Sequence, residues 1–355
     1  MLETKIAEGL VVNDFLLLPR LLYNKKKLVQ NEREERQLLS AEHILSKYFS
    51  FTGFVCYQDG EPCARCAVTV YPEKDCAYIG FFECINDKQA AKLLFDCAEK
   101  FAFEQGRQIL VGPVDASFWI KYRMKANVFE DRAYFSEPYN KDYYKDLWES
   151  SGYEVDERYI SNKYERFSKS DLNNKRFNNR YNEFIKKGYE ISSPEKKDWD
   201  KVVGEVYGLI IDLYSGFSVF SYISEEDFRK LFSSLKFILD FSMVKMAYLN
   251  GEAVGFFIGS PDYKNRLCGK IGLKELLYIL LKRLKSKNYV MLYLGVKDKH
   301  LGLGKAMTQT IIRNVYKKNA TSIGAFIKKG KVTEKYAAEK VNGVFEYLTF
   351  RKQMQ

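Results

Sequence analysis

The residues best suited to chemistry lie in the run YVMLYLGVKDKHLGLGKAMTQT, from Tyr289 to Thr310. An apolar, β-prone segment ends at Gly295-Val296. A polar loop, Lys297-Asp298-Lys299-His300, follows, and Gly302-Leu303-Gly304 leads directly into a helical pattern. A strand–glycine loop–helix unit presents unpaired backbone N–H groups at the positive end of a helix. Glycines let that backbone approach an anion closely, and Lys299 and Lys305 add positive charge. In physical terms this is a pyrophosphate cradle. Neither glycine is followed by Gly-Lys-Ser/Thr at Walker spacing, and no third glycine completes a dinucleotide fingerprint.

Other chemistries are poorly supplied. Two histidines in 355 residues leave little for a His-based zinc centre or a serine triad. Cys63-Ala-Arg-Cys66 is a lone C-x-x-C with no second pair or histidines at matching distance, so no metal is expected. It falls in a strand-like stretch, where residues three apart point to opposite faces, and it reads as structural thiols.

The elements that would position the glycine loop follow an α/β grammar. In the first half, helical spacing covers 32–47, 87–105 and 140–151. Strand patterns cover 53–57, 64–71, 77–84, 108–112 and 153–164, with Asp59-Gly60 as a hairpin turn. In the second half, helices are expected over 171–187, 198–214, 224–239, 274–284, 303–318 and 332–341. Strands are expected over 243–249, 253–259, 289–296, 322–327 and 344–350, with Asn250-Gly251 as a turn. Two rounds of helices, hairpin, strand, helix, strand suggest an internal duplication, with domains at 1–165 and 166–355.

Charge separates the halves. Residues 1–165 carry 22 Lys+Arg and 27 Asp+Glu, a net of −5. The remaining 35 and 19 give +16, and together they make the formal +11 of the chain. A basic half carrying the glycine loop suits an anionic partner. The N-terminus lacks a basic start followed by an apolar core, and the apolar stretch from Leu276 to Leu281 is too short to span a bilayer. A cytoplasmic protein with reduced thiols and no membrane partner is the expectation.

The loop Lys299-His300-Leu301-Gly302-Leu303-Gly304 resembles the acetyl-CoA-binding motif of the GCN5-related N-acetyltransferases (GNAT), Arg/Gln-x-x-Gly-x-Gly/Ala, with Lys in the opening position. MAYLNGEAVGFFIGSPD is similar to that family's central strands. GFVCYQDGEPCARCAVTV, AYIGFFECINDKQAAKLLFDCAEKF, VGPVDAS, EPYNKDYYKDLWESSGYE and SGFSVFSYISEEDF are similar to large bacterial proteins with two GNAT-like domains. The resemblance implies two tandem domains, each a mixed, mostly antiparallel sheet flanked by helices. It also implies acyl transfer from acetyl-CoA, or another acyl-CoA, to a small-molecule or peptide amine.

In that scheme Leu294, Gly295 and Val296 would pair with the pantetheine arm. The N–H groups of Leu301 to Lys305 would hold the pyrophosphate, with Lys299, His300 and Ala306 completing the cofactor site. Tyr336, on the penultimate helix, would be the catalytic acid, although Lys328-Lys329-Gly330-Lys331 stand where related proteins carry acidic and amide residues. The first half would be a degenerate copy: its cofactor strand is read as ending in Val111-Gly112-Pro113-Val114, with no Gly-x-Gly after it. Two alternatives remain. One is a Fem-like aminoacyltransferase using aminoacyl-tRNA, the other a GNAT-like protein that binds its anionic ligand without turnover.

Overall fold

The computed structural model describes residues 1–269 and 272–354. They form two compact units: Met1–Tyr159 with 265–269 and 346–354, and Ile160–Lys264 with 272–345. The final strand, which sequence order assigns to the second half, ends in the first unit.

The first unit contains β1 (Leu2–Ile6), α1 (Val11–Leu22), α2 (Glu32–Leu39), β2 (Ser50–Gln58), β3 (Glu61–Val70) and β4 (Cys76–Cys84). Then come α3 (Lys88–Glu104), β5 (Ile109–Gly112), β6 (Val114–Asp115), β7 (Lys121–Tyr122), β8 (Met124–Lys125) and α4 (Tyr144–Ser150). The chain passes to the second unit within β9 (Glu154–Tyr164). The second unit contains α5 (Lys169–Leu172), α6 (Lys175–Lys186), β10 (Tyr189–Ser192), α7 (Trp199–Tyr214), α8 (Glu225–Leu231), α9 (Leu235–Ile238) and β11 (Val244–Leu249). It continues with β12 (Glu252–Pro261), α10 (Leu273–Lys285), β13 (Asn288–Val296), α11 (Leu303–Lys317) and β14 (Thr321–Lys328), and the chain returns within β15 (Val341–Gln353).

Each unit is built around a mixed, mostly antiparallel sheet. The order is β1-β2-β3-β4-β5-β15 in the first and β10-β11-β12-β13-β14-β9 in the second. In each, the fourth and fifth strands pair in parallel: Cys76↔Ile109 through Tyr78↔Val111, and Asn288↔Thr321 through Met291↔Gly324. A parallel pair needs a crossover, and α3 and α11 provide it. Both helices bury a full apolar face. Leu94, Phe95 and Ala98 of α3 pack under the first sheet, and Leu303, Met307 and Ile311 of α11 under the second. Each large side chain withdrawn from water contributes ~1.5–3 kcal/mol. The seven cysteines are free thiols, and Cys63 and Cys66 are buried in the first core.

Several expected helices are shorter, for local reasons. The helix over 171–187 breaks at Asn173-Asn174, where the Asn174 side chain accepts from Arg176 N–H and caps α6. The helix over 332–341 does not form. Two short turns, Val332–Lys335 and Ala338–Lys340, stand there, because Ala337 adopts a left-handed φ of +47° that no α-helix tolerates. No helix of the described residues is long and apolar enough to cross a membrane.

Candidate functional site

The start of α11 is open. Its N-cap is Gly302 at φ +99°, ψ −19°, and among the described residues no side chain caps it. A residue with a Cβ is strained at that φ. Leu303 and Ala306 are fully buried, so they anchor the helix. Gly304 is buried as well, whereas Leu301 is 83% exposed. Lys299 is exposed and Lys305 half-buried. The loop before the helix is pinned on both sides. His300 Nδ1 and the Tyr189 hydroxyl lie 2.7 Å apart, and Lys297 Nζ donates to Glu252 at 2.6 Å.

The strand feeding this loop is paired on one edge. Leu294, Gly295 and Val296 stay in register with Phe257, Phe256 and Gly255 of β12. On the other edge the ladder to β14 stops at Met291↔Gly324. Past that point Leu292, Leu294 and Val296 are half-buried and Tyr293 is exposed. An extended ligand can therefore add along the edge that β14 leaves.

Two residues missed by sequence reasoning complete the charge pattern. Arg176 and Arg180 lie one turn apart on α6, more than a hundred residues before the loop. A Cβ on Gly302 would sit 3.7 Å from Arg180 Nε. The Lys305 pKa is lowered by partial burial and then by the charges of Arg176 and Arg180. Glu183 pairs with Arg180 at 2.7 Å. Cations crowding an uncapped helix N-terminus are eased by an anion, so the residues fit a pyrophosphate. The only sequence signal was a pair of arginines at i, i+4 on the helix face that also presents Phe177 and Phe184.

Tyr336 is brought to this loop, though from a turn and not from a helix. A Cβ on Gly304 would lie 3.2 Å from the Tyr336 hydroxyl, 3.7 Å from Leu294 and 3.9 Å from Val296. Glycine at 304 therefore makes room for the tyrosine, and the two ends of the predicted site meet there. The ring packs edge-on against Phe177, with centroids 6.0 Å apart. The backbone is held by the Tyr164 hydroxyl, which donates to the Tyr336 carbonyl at 3.0 Å. Burial raises the Tyr336 pKa, with Arg176 opposing, so the phenol keeps its proton at neutral pH.

The first unit holds the matching junction, one strand earlier than the sequence suggested. The counterpart of β13→α11 is β4→α3, since β4 is the strand that pairs in parallel with the next one. Val111-Gly112-Pro113-Val114 belongs to β5 and the segment after it. This junction is closed twice. Asp87 caps α3, its carboxylate accepting from Gln89 and Ala90 N–H at 2.7 and 3.1 Å, where an anion would otherwise sit. Residues 114–115 fill the gap beside β4: a Cβ on Gly80 would meet the Val114 carbonyl at 2.0 Å, and Phe81 N–H donates to Asp115 at 2.6 Å.

Behind β4 lies a small cavity of about 70 Å³ lined by Tyr23, Glu35, Arg65, Glu83, Asp115 and Tyr144, among others. Arg65 and Glu35 form a buried ion pair at 2.7 Å. Glu83 accepts from the Tyr144 hydroxyl at 2.6 Å, and burial, opposed by Arg65, pushes its pKa up to about 7. Sequence reasoning did not single out Glu83, because only the strand register places it opposite Arg65.

No family model matches the sequence, and no curated protein matches it. Solved structures do. A tandem GNAT protein from the clavulanic acid biosynthesis pathway aligns with 99% of this chain and 98% of its own, at a TM-score of 0.52 and 10% identity. The GCN5-related glucosamine N-acetyltransferase region of a fungal multi-domain β-N-acetylglucosaminidase aligns with 99% of this chain and 38% of that one, at a TM-score of 0.54 and 11% identity. A conserved protein of unknown function from Enterococcus faecalis V583 aligns with 100% and 73%, at 0.52 and 8%. The chain therefore carries the fold of the GCN5-related N-acetyltransferases, in its tandem form.

Proposed function

We propose that the second unit is an acyl-CoA-dependent N-acyltransferase, with acetyl-CoA as donor and a small-molecule or peptide amine as acceptor. The observation that carries this reading is the meeting of an uncapped helix start at Gly302 with a protonated tyrosine hydroxyl against Gly304. The N–H groups of Leu301 to Gly304 would hold the pyrophosphate, the Lys305 N–H already donating to the Gly302 carbonyl at 3.1 Å, with the Lys299, Lys305, Arg176 and Arg180 side chains balancing its charge. The backbone of Leu294 to Val296 would pair with the pantetheine arm along the edge that β14 leaves.

The bound cofactor supplies an activated acyl thioester. Leu303 and Ala306, buried under the sheet, fix the helix start so that its N–H groups are arranged before a ligand arrives. The Tyr336 Oη–H would be the chain's proton donor to the departing thiolate, which leaves as the thiol. The test is thiol release from acetyl-CoA across a panel of primary amines. Amine-dependent release supports the proposal. Thermal stabilisation by CoA without release would make the chain a binding protein, and stabilisation by tRNA but not by CoA would favour aminoacyl transfer.

A further inference from the structure

The 13-residue helix α10 turns an apolar stripe to solvent. Leu273, Leu276, Leu277, Leu280, Leu281 and Leu284 are each between 45% and 87% exposed. Their spacing, i, i+3, i+4, i+7, i+8 and i+11, places all six on one face. At about 100° per residue they span roughly 140° of the helix. Ile279, about 130° round the helix from the centre of the stripe, is 6% exposed and packs inward, so the leucines are the face left over after folding. Isolated exposed leucines are ordinary, but a contiguous stripe of six is not.

The charges on α10 say what covers the stripe. On the same helical wheel Lys274 and Lys285 flank one margin and Arg283 the other. Four cations (Lys274, Lys282, Arg283, Lys285) stand against Glu275 alone, a net of +3. Phe237, 60% exposed, belongs to the segment beside this margin, its carbonyl accepting from Arg283 at 3.1 Å. Apposed to a second copy, this face would bring its own cations together with one carboxylate per helix to answer them. Laid on anionic headgroups, the cations are neutralised and their alkyl stems cover the apolar margin.

We infer that α10 is an interfacial helix that lies in the surface of an anionic lipid bilayer, leucines down, and does not cross it. A membrane span needs about 20 residues, which is why the stretch gave no membrane signal by length. The inference does not rest on acyl transfer. It is tested by co-sedimentation of the full chain with vesicles of one part phosphatidylglycerol to two parts phosphatidylcholine, and with phosphatidylcholine alone.

Binding to the anionic vesicles at least ~10-fold above the neutral ones, weakened by salt, is expected. Leu276→Glu/Leu280→Glu and, separately, Lys274→Glu/Lys285→Glu should each reduce it at least ~10-fold. The substituted residues are exposed, so folding should survive, and circular dichroism checks it. No binding to anionic vesicles by folded protein overturns the inference. So does a concentration-dependent dimer that the leucine variant abolishes.

Discussion

The two strand-to-helix junctions share a topology and differ in what stands at the helix start. At α3 a carboxylate from Asp87 satisfies the free N–H groups, and Val114-Asp115 occupy the gap beside the strand. At α11 the cap is a left-handed glycine, the gap stays open beyond Met291, and arginines from α6 stand by. An N-cap carboxylate stabilises a helix by ~0.5–2 kcal/mol. The second unit forgoes that contribution at the junction where an external anion could supply it. One unit caps its own helix with a side chain, and the other leaves the equivalent helix start without one.

The contrast can be broken from either side. The largest effect is expected from Gly302→Asp, which imposes strain at φ +99° and places a carboxylate where the pyrophosphate would sit. CoA affinity should fall at least ~1,000-fold by calorimetry while the circular dichroism spectrum is unchanged. Next is Glu83→Gln in the first unit. A carboxyl held near 7 in the folded chain, against about 4.5 unfolded, favours folding fully only below the lower value. That contribution is lost as pH rises through 7. The variant should therefore gain about 3 kcal/mol over the parent between pH 4.5 and pH 8 in denaturant titrations. An equal difference at both pH values would show that Glu83 does not hold its proton.

Tyr336→Phe removes only the hydroxyl beside Gly304. A fall in kcat of about 100-fold, with CoA affinity unchanged, is expected from single-turnover and binding measurements. Parallel losses in both would assign the tyrosine to packing. The smallest effect is that of Asp87→Ala, a loss of about 1 kcal/mol in unfolding free energy. It should create no second CoA site, because Val114 and Asp115 still fill the gap.

Much of this was legible in the residues. The duplicated grammar was visible because the strands at 77–84 and 289–296 are apolar runs followed by strong helical periodicity. Gly302-Leu303-Gly304 stood out because left-handed backbone and close approach both demand glycine. Other features depend on tertiary context. A left-handed Ala337 has no sequence signature, so a helix was expected over 332–341. Arg176 and Arg180 reach the loop only because α6 packs on α11. The counterpart strand in the first half was placed one strand late, ending at Val111-Gly112-Pro113-Val114, because strand order alone does not show which strand pairs in parallel with the next; the ladder assigns that role to β4.

The central claim is that one junction of the two is open to the cofactor. Isothermal titration of the intact chain with acetyl-CoA tests it most directly. One site per chain is predicted, weakened by salt as expected for phosphates held by Lys305, Arg176 and Arg180 and unaffected by Asp87→Ala. Two sites per chain, or a single site that survives Gly302→Asp in folded protein, would contradict it.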